Sequence, residues 1–147
     1  MDENTITSLV EPSQKPVFGF VLSLSNVGRQ EAFEIAVSSF IGALRSFTSS
    51  PGGPDFLRAL FKKAIERCRN FTAATGPDTS GDEMARLVKK ALFSLSFEQK
   101  CLLLLRDQQH FSYEDMGAIL GEPSKEVRSK VTSAREALRA QMESLLK

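Results

Sequence analysis

A chain of 147 residues has room for one domain or two small ones, each with a modest core. Hydrophobic residues make up 41% and charged residues 25%, as in an ordinary soluble globular protein. The net charge of +1 excludes any argument for nucleic-acid binding from overall charge, and the longest apolar run, Cys101 to Leu105, is far too short to span a membrane.

The distribution of charge says more. Residues 1–16 carry net −2, residues 17–73 net +3, residues 74–84 net −3 and residues 85–147 net +3. Two mildly basic bodies are thus joined by an acidic connector. Cys68 and Cys101 are far apart, no CxxC occurs, and both fall within helical patterns, so they are expected to be reduced packing residues of a cytoplasmic protein. Asp2 and Glu3 have the wrong charge for a signal peptide.

In chain order, residues 1–16 read as a flexible polar tail containing Pro12 and Pro16. Val17, Phe18, Val21, Leu22 and Leu24 form a short apolar helix, after which Ser25 or Asn26 is placed to cap the next. Ala32, Phe33, Ile35, Ala36, Phe40, Ile41, Ala43 and Leu44 repeat at helical spacing to Phe47. Thr48 to Pro54 is a loop. A third helix carries Phe56, Leu57, Leu60, Phe61, Ala64, Ile65 and Cys68 on one face, with Arg58, Lys62, Lys63, Arg67 and Arg69 outward. Residues 72–83 form a linker of small residues with Gly76, Pro77 and Gly81.

Asp82 to Phe93 opens the second unit as a helix, and Phe97 to Arg106 continues it, with the Leu102–Leu105 run expected in the core. Ser112 is placed to cap a helix from Tyr113 to Leu120, with Asp115 completing a capping box. Gly121 suits the left-handed residue that ends this helix, and Ser124 suits the next N-cap. Val127, Val131, Ala134, Leu138, Met142 and Leu145 then mark one face of a long helix. Its other face carries Lys125, Arg128, Lys130, Arg135 and Arg139 among hydroxyl residues. Two helices around a short Gly-Glu-Pro break form the pattern of a helix-turn-helix. The expected fold is all-α: a helical unit over 17–71, a linker over 72–83, and a helix-turn-helix unit over 84–147.

Leu95 to Leu146 resembles the promoter-reading C-terminal domain of bacterial extracytoplasmic-function (ECF) sigma factors. That pattern is close to L-P-x-x-x-R-x-x-L-L-L-R-D, S-Y-x-E-I-A-x-I-L-G and P-x-G-T-V-R-S-R-x-x-R-A-R-x-x-L-R. It is met here by Leu95, Lys100, Leu103 to Asp107, Ser112, Tyr113, Asp115 to Gly117, Ile119 to Gly121, Pro123, Val127 to Lys130, Ala134, Arg135, Leu138 and Arg139. Glu126 replaces a Thr, Thr132 and Ser133 replace common His and Arg, and Glu122 replaces an apolar residue, which is expected to loosen the turn. The N-terminal half is similar to the family's other domain in its apolar skeleton, including Ala32, Ile35, Ala36, Phe40, Ile41, Ala43, Leu44 and Leu57 to Phe61. There a Q-E pair is Val37-Ser38 and a Trp is Leu60.

The resemblance implies two partners, promoter DNA and core RNA polymerase, with an anti-sigma factor as a third. It assigns base reading to Ser124, Lys125, Glu126, Arg128, Ser129 and Lys130, where Arg and Lys can pair with guanine edges. Phosphate contacts fall to Ser112, Tyr113, Arg135 and Arg139, and polymerase contacts to Glu34, Ile35, Ser38, Ser39 and Ile41. The alternative is a sigma-like regulatory protein that binds an anti-sigma factor or another partner without initiating transcription. Twelve linker residues reach about 40 Å when extended. The two promoter elements read by sigma factors lie roughly 17 to 19 base pairs apart, about 60 Å. A packed arrangement of the two units is therefore easier to satisfy than a splayed one. No cofactor or metal is expected. His110 stands alone in a turn, Gly52-Gly53 lacks a following Lys-Ser/Thr, and no catalytic constellation occurs.

Overall fold

The computed structural model describes residues 4, 10–25, 27–46, 53–70 and 81–147, with Gly53 and Pro54 described in backbone only. Asn26, most of the Thr48–Pro54 loop and residues 72–80 of the expected linker lie outside the described residues. The described residues form seven α-helices and no strand: α1 (Gln14–Ser25), α2 (Arg29–Ser46), α3 (Gly53–Arg69), α4 (Glu83–Phe93), α5 (Phe97–Leu103), α6 (Tyr113–Leu120) and α7 (Ser124–Leu146).

The first helix starts earlier than its apolar residues suggest. A 3-10 turn at Glu11–Ser13 runs directly into α1, so the expected tail ends before residue 11. Pro12 sits in the first turn of this helical stretch, where a missing N–H leaves no bond unmade. Ser25 caps nothing. It is buried, and its hydroxyl donates back to the Val21 carbonyl at 2.6 Å.

Helices α1, α2 and α3 pack on one another through Phe20, Val21, Leu24, Ala32, Ile35, Leu60 and Ala64. In the second half α7 is the spine against which α4, α5 and α6 all lie. It supplies Val127, Val131 and Ala134, each fully buried. The two halves share one contiguous core. Helix α3 packs on α6, and α1 packs on α5 and its continuation. Phe61 of α3 links the halves, with its ring edge-on to Phe20 and to Phe111 at centroid distances of 5.0 Å each. This is the packed arrangement that the short connector favours.

Five consecutive residues, Cys101 to Leu105, are buried, as the apolar run predicts. A helix buried all round must have neighbours on every side. Here both halves supply them. From Leu104 to Gln108 the helix widens to π geometry, with the Gln109 amide donating to the Leu104 carbonyl at 2.9 Å. His110 then takes φ 61°, a left-handed conformation uncommon outside glycine, and stays exposed.

Candidate nucleic-acid interface

The face that carries the candidate DNA contacts is built on the ends of three helices. Ser112 caps α6 by accepting from the Asp115 amide at 3.0 Å. The reciprocal half of the expected capping box is not formed, because the Asp115 carboxylate turns to Arg58 of α3. A complete capping box occurs at Ser96 and Gln99, at the start of α5. Gly121 ends α6 in the left-handed region, φ 72° and ψ 35°, as expected.

The turn into α7 is tight. The Gly121 and Glu122 amides both donate to the Gly117 carbonyl, at 2.8 and 3.0 Å. A Cβ on Gly117 would stand 2.5 Å from the Glu122 carbonyl oxygen, so only glycine permits this approach. Pro123, in extended conformation, is the N-cap of α7. Ser124 is instead the first helical residue and makes no capping bond, since proline already sets the entry dihedral. Glu122 does not loosen the turn as expected. Its carboxylate accepts from the Lys130 ammonium two turns along α7, which ties the turn to the helix and holds the Lys130 pKa above its ordinary value.

Ser124, Lys125, Glu126, Arg128, Ser129 and Lys130 are all exposed, while Val127 among them and Val131 just after them are fully buried. The first turns of α7 thus present one polar surface. Tyr113, the first residue of α6, joins that surface: its ring lies 5.1 Å from the Arg128 guanidinium carbon. The same ring lies 4.2 Å from that of Arg106, a residue with no expected role here. Its only signal in sequence is the Arg-Asp pair after the leucine run.

Two further cations, Arg135 and Arg139, are partnered by acids. Arg135 makes a two-pronged pair with Asp107, Nη2 to Oδ1 at 2.5 Å and Nε to Oδ2 at 3.2 Å. Arg139 bonds Glu136 and Glu143 along its own helix, which pushes its pKa up and that of Glu136 down. Exposed pairs of this kind are weak and screened by salt, so phosphate can displace the carboxylates. Among the described residues no carboxylate pairs with Arg128.

The expected polymerase residues do not share one face. Glu34 and Ile41 are exposed and Ser38 is half-buried. Ile35 and Ser39 are buried in the core, and the Ser39 hydroxyl donates to the Ile35 carbonyl at 2.7 Å. Neither is offered to a partner, because helix spacing turns both toward α1 and α3. The outward apolar face of α2 is Phe33, Val37 and Ile41, at successive steps of four.

Comparison with known proteins completes the picture. No family model matches the chain. It is 26% identical to the ECF RNA polymerase sigma-E factor of Haemophilus influenzae over 174 aligned positions, covering 99% of this chain and 91% of that protein. It is 25% identical to the RNA polymerase sigma-H factor of Pseudomonas aeruginosa, over 99% of this chain and 90% of the relative. The ECF RNA polymerase sigma-E factor of Escherichia coli K12 is 24% identical over 78% and 75%. The chain is thus similar to ECF sigma factors over nearly its whole length.

Beside the Haemophilus influenzae relative the chain is short. An alignment of 174 positions against 147 residues leaves at least 27 positions without a counterpart here. The described residues are all-α, as the likeness to sigma factors leads one to expect. No helix among the described residues is long and apolar enough to cross a membrane.

Proposed function

We propose that this protein acts as a sigma factor in transcription initiation, with α6 and α7 as a helix-turn-helix that enters the major groove of an upstream promoter element. The similarity to named sigma factors across nearly the whole chain carries this reading. The local geometry supports it. The exposed start of α7 offers Arg128 and Lys125 to base edges, and the N-terminus of α6 offers Ser112 to phosphate. Arg135 and Arg139 reach phosphates by exchanging their carboxylate partners for them.

Residues 17–71 serve core polymerase in this reading, and residues 84–147 serve DNA. The polymerase-facing surface is Phe33, Val37 and Ile41 on α2, with Glu34 and Ser38 beside it. A contiguous exposed apolar stripe of this kind marks an interaction surface. An anti-sigma factor as a further partner fits the same exposed surfaces. The alternative, a regulator that never initiates transcription, is not favoured, since the relatives that cover the chain end to end are named as sigma factors.

The test is a pull-down and run-off assay with purified bacterial core polymerase and a promoter panel. Stable binding with transcripts from one start site is expected. A well-folded chain that neither binds core polymerase nor yields a transcript would reject the reading.

A further inference from the structure

We propose that Tyr113 is a positioning residue: its ring, steadied by Arg106, holds Arg128 poised for the N7/O6 edge of a guanine. The proposal deepens the DNA-reading function above and rests on it.

Three observations lead there. First, the ring is anchored from the backbone. Tyr113 opens α6 directly after the cap residue Ser112, and Arg106 Nη1 donates to the Phe111 carbonyl at 2.8 Å on the way into that cap. The ring position is thus set by the fold. Second, both guanidinium carbons lie within cation–π range of the ring, at 4.2 Å for Arg106 and 5.1 Å for Arg128. Third, Arg128 differs from its neighbours in how it is held. Lys130, Arg135 and Arg139 direct their N–H donors at carboxylates. A guanidinium resting on an aromatic face keeps its in-plane donors open, and two of those donors form the fork that pairs with guanine.

The physical consequence is preorganisation. A free arginine side chain gives up rotamer freedom when fixed. A ring that restricts Arg128 before DNA arrives removes part of that cost from the specific complex. It does little for phosphate contact, which tolerates many side-chain positions. Tyr113 therefore controls discrimination between sequences more than overall affinity.

The experiment has a DNA-free arm and a DNA arm, using the full chain, Tyr113→Phe and Tyr113→Leu. In the free chain, NMR reads the ring-current shift of the Arg128 δ protons. An upfield shift in wild type and Y113F, lost in Y113L, is expected. Absence of that shift in wild type overturns the proposal whatever happens with DNA. For the second arm, the wild-type chain selects a duplex from a library with a randomised core, and affinities are compared for that duplex and a version with one guanine replaced. Discrimination should hold in Y113F and fall about fivefold in Y113L, the scale of a cation–π contact, with binding to a scrambled duplex changed by less than about twofold. An equal loss on all duplexes would make Tyr113 a phosphate contact or a structural residue. A loss already present in Y113F would assign the effect to the hydroxyl. Either result overturns the proposal. A wild-type chain that selects no sequence, with the ring-current shift intact, overturns the DNA-reading function and the positioning role with it. Should Y113L lose its helical circular dichroism, the Y113F duplex comparison and the wild-type shift decide.

Discussion

Arg58 of α3 and Asp115 of α6 form an ion pair across the two halves of the molecule, Nη2 to Oδ1 at 2.6 Å and Nε to the same oxygen at 2.8 Å. They stand 57 residues apart in sequence. Arg58 also reaches Asp55 on its own helix at 3.5 Å. Around the pair, Gln108 bonds Ser23 at 3.2 Å and Gln109 bonds the Pro16 carbonyl at 3.2 Å. These polar contacts rim the apolar seam at Phe61 and Phe111. Under the proposed function, contact with two promoter elements about 60 Å apart requires this seam to part.

Arg58→Ala should therefore loosen the packed form. A half-buried pair of this geometry contributes about 1 kcal/mol, so the open population rises about fivefold. Small-angle X-ray scattering should show a larger radius of gyration for the variant. An unchanged radius in Arg58→Ala and in Asp115→Asn would mean that the apolar seam alone holds the halves together.

Asp107→Asn should strengthen DNA binding at low salt by about twofold to fivefold. The substitution removes a carboxylate from the proposed DNA-facing side and frees Arg135, its bidentate partner. The gain should vanish as salt rises, because it comes from phosphate attraction. Fluorescence anisotropy across a salt series reads both effects.

Gly117→Ala should destabilise the fold. Alanine gains about 1 kcal/mol in helix propensity over glycine. The new methyl would meet the Glu122 carbonyl at 2.5 Å, and a backbone atom moves only by opening the turn. Overpacking of this kind costs about 1–3 kcal/mol, so a net loss of about 1 kcal/mol is expected in urea titration. The family's usual pattern has alanine at this position. A stabilised variant would show that the turn relaxes to the form used by its relatives.

His110→Gly should stabilise by about 0.5–1 kcal/mol. Its left-handed φ of 61° costs a non-glycine residue about 1–2 kcal/mol, part of which is returned as extra freedom of the unfolded glycine chain. Thermal unfolding by circular dichroism measures the balance. A lower melting temperature would mean that the imidazole makes a contact worth more than the strain.

Burial pushes the Cys68 and Cys101 thiols up to about 12 from the model-compound value of 9.0. Below pH 9 the folded and unfolded chains both keep these protons, and stability is independent of them. Between pH 9 and 12 the unfolded chain releases protons that the folded chain retains, so stability falls as pH rises. The limit is about 1.4 kcal/mol per pH unit for each thiol. Lys100, whose pKa burial holds below the ammonium range, acts in the opposite direction. Comparing denaturant titrations of wild type and a Cys68→Ala/Cys101→Ala variant isolates the thiol part, and the variant should lose that slope.

The sequence by itself determined the helices, their caps at Ser112 and Gly121, and the buried face of α7 through Val127, Val131 and Ala134. These features depend on residues three to four apart, where side-chain spacing and backbone chemistry act locally. It also marked Arg128 and its neighbours as one exposed surface. Tertiary structure alone decided which charges that surface leaves open. Asp115 reads as a capping residue until α3 brings Arg58 to it, and Arg135 reads as a free cation until the π turn brings Asp107 beside it. Ile35 and Ser39 fit a partner-facing pattern in sequence, yet α1 and α3 cover them. Tyr113 meets Arg106 and Arg128 only because the turn at His110 and the turn at Gly121 fold three helix ends together. Such pairings join elements whose spacing in sequence carries no periodicity, so they are set by packing and not by pattern.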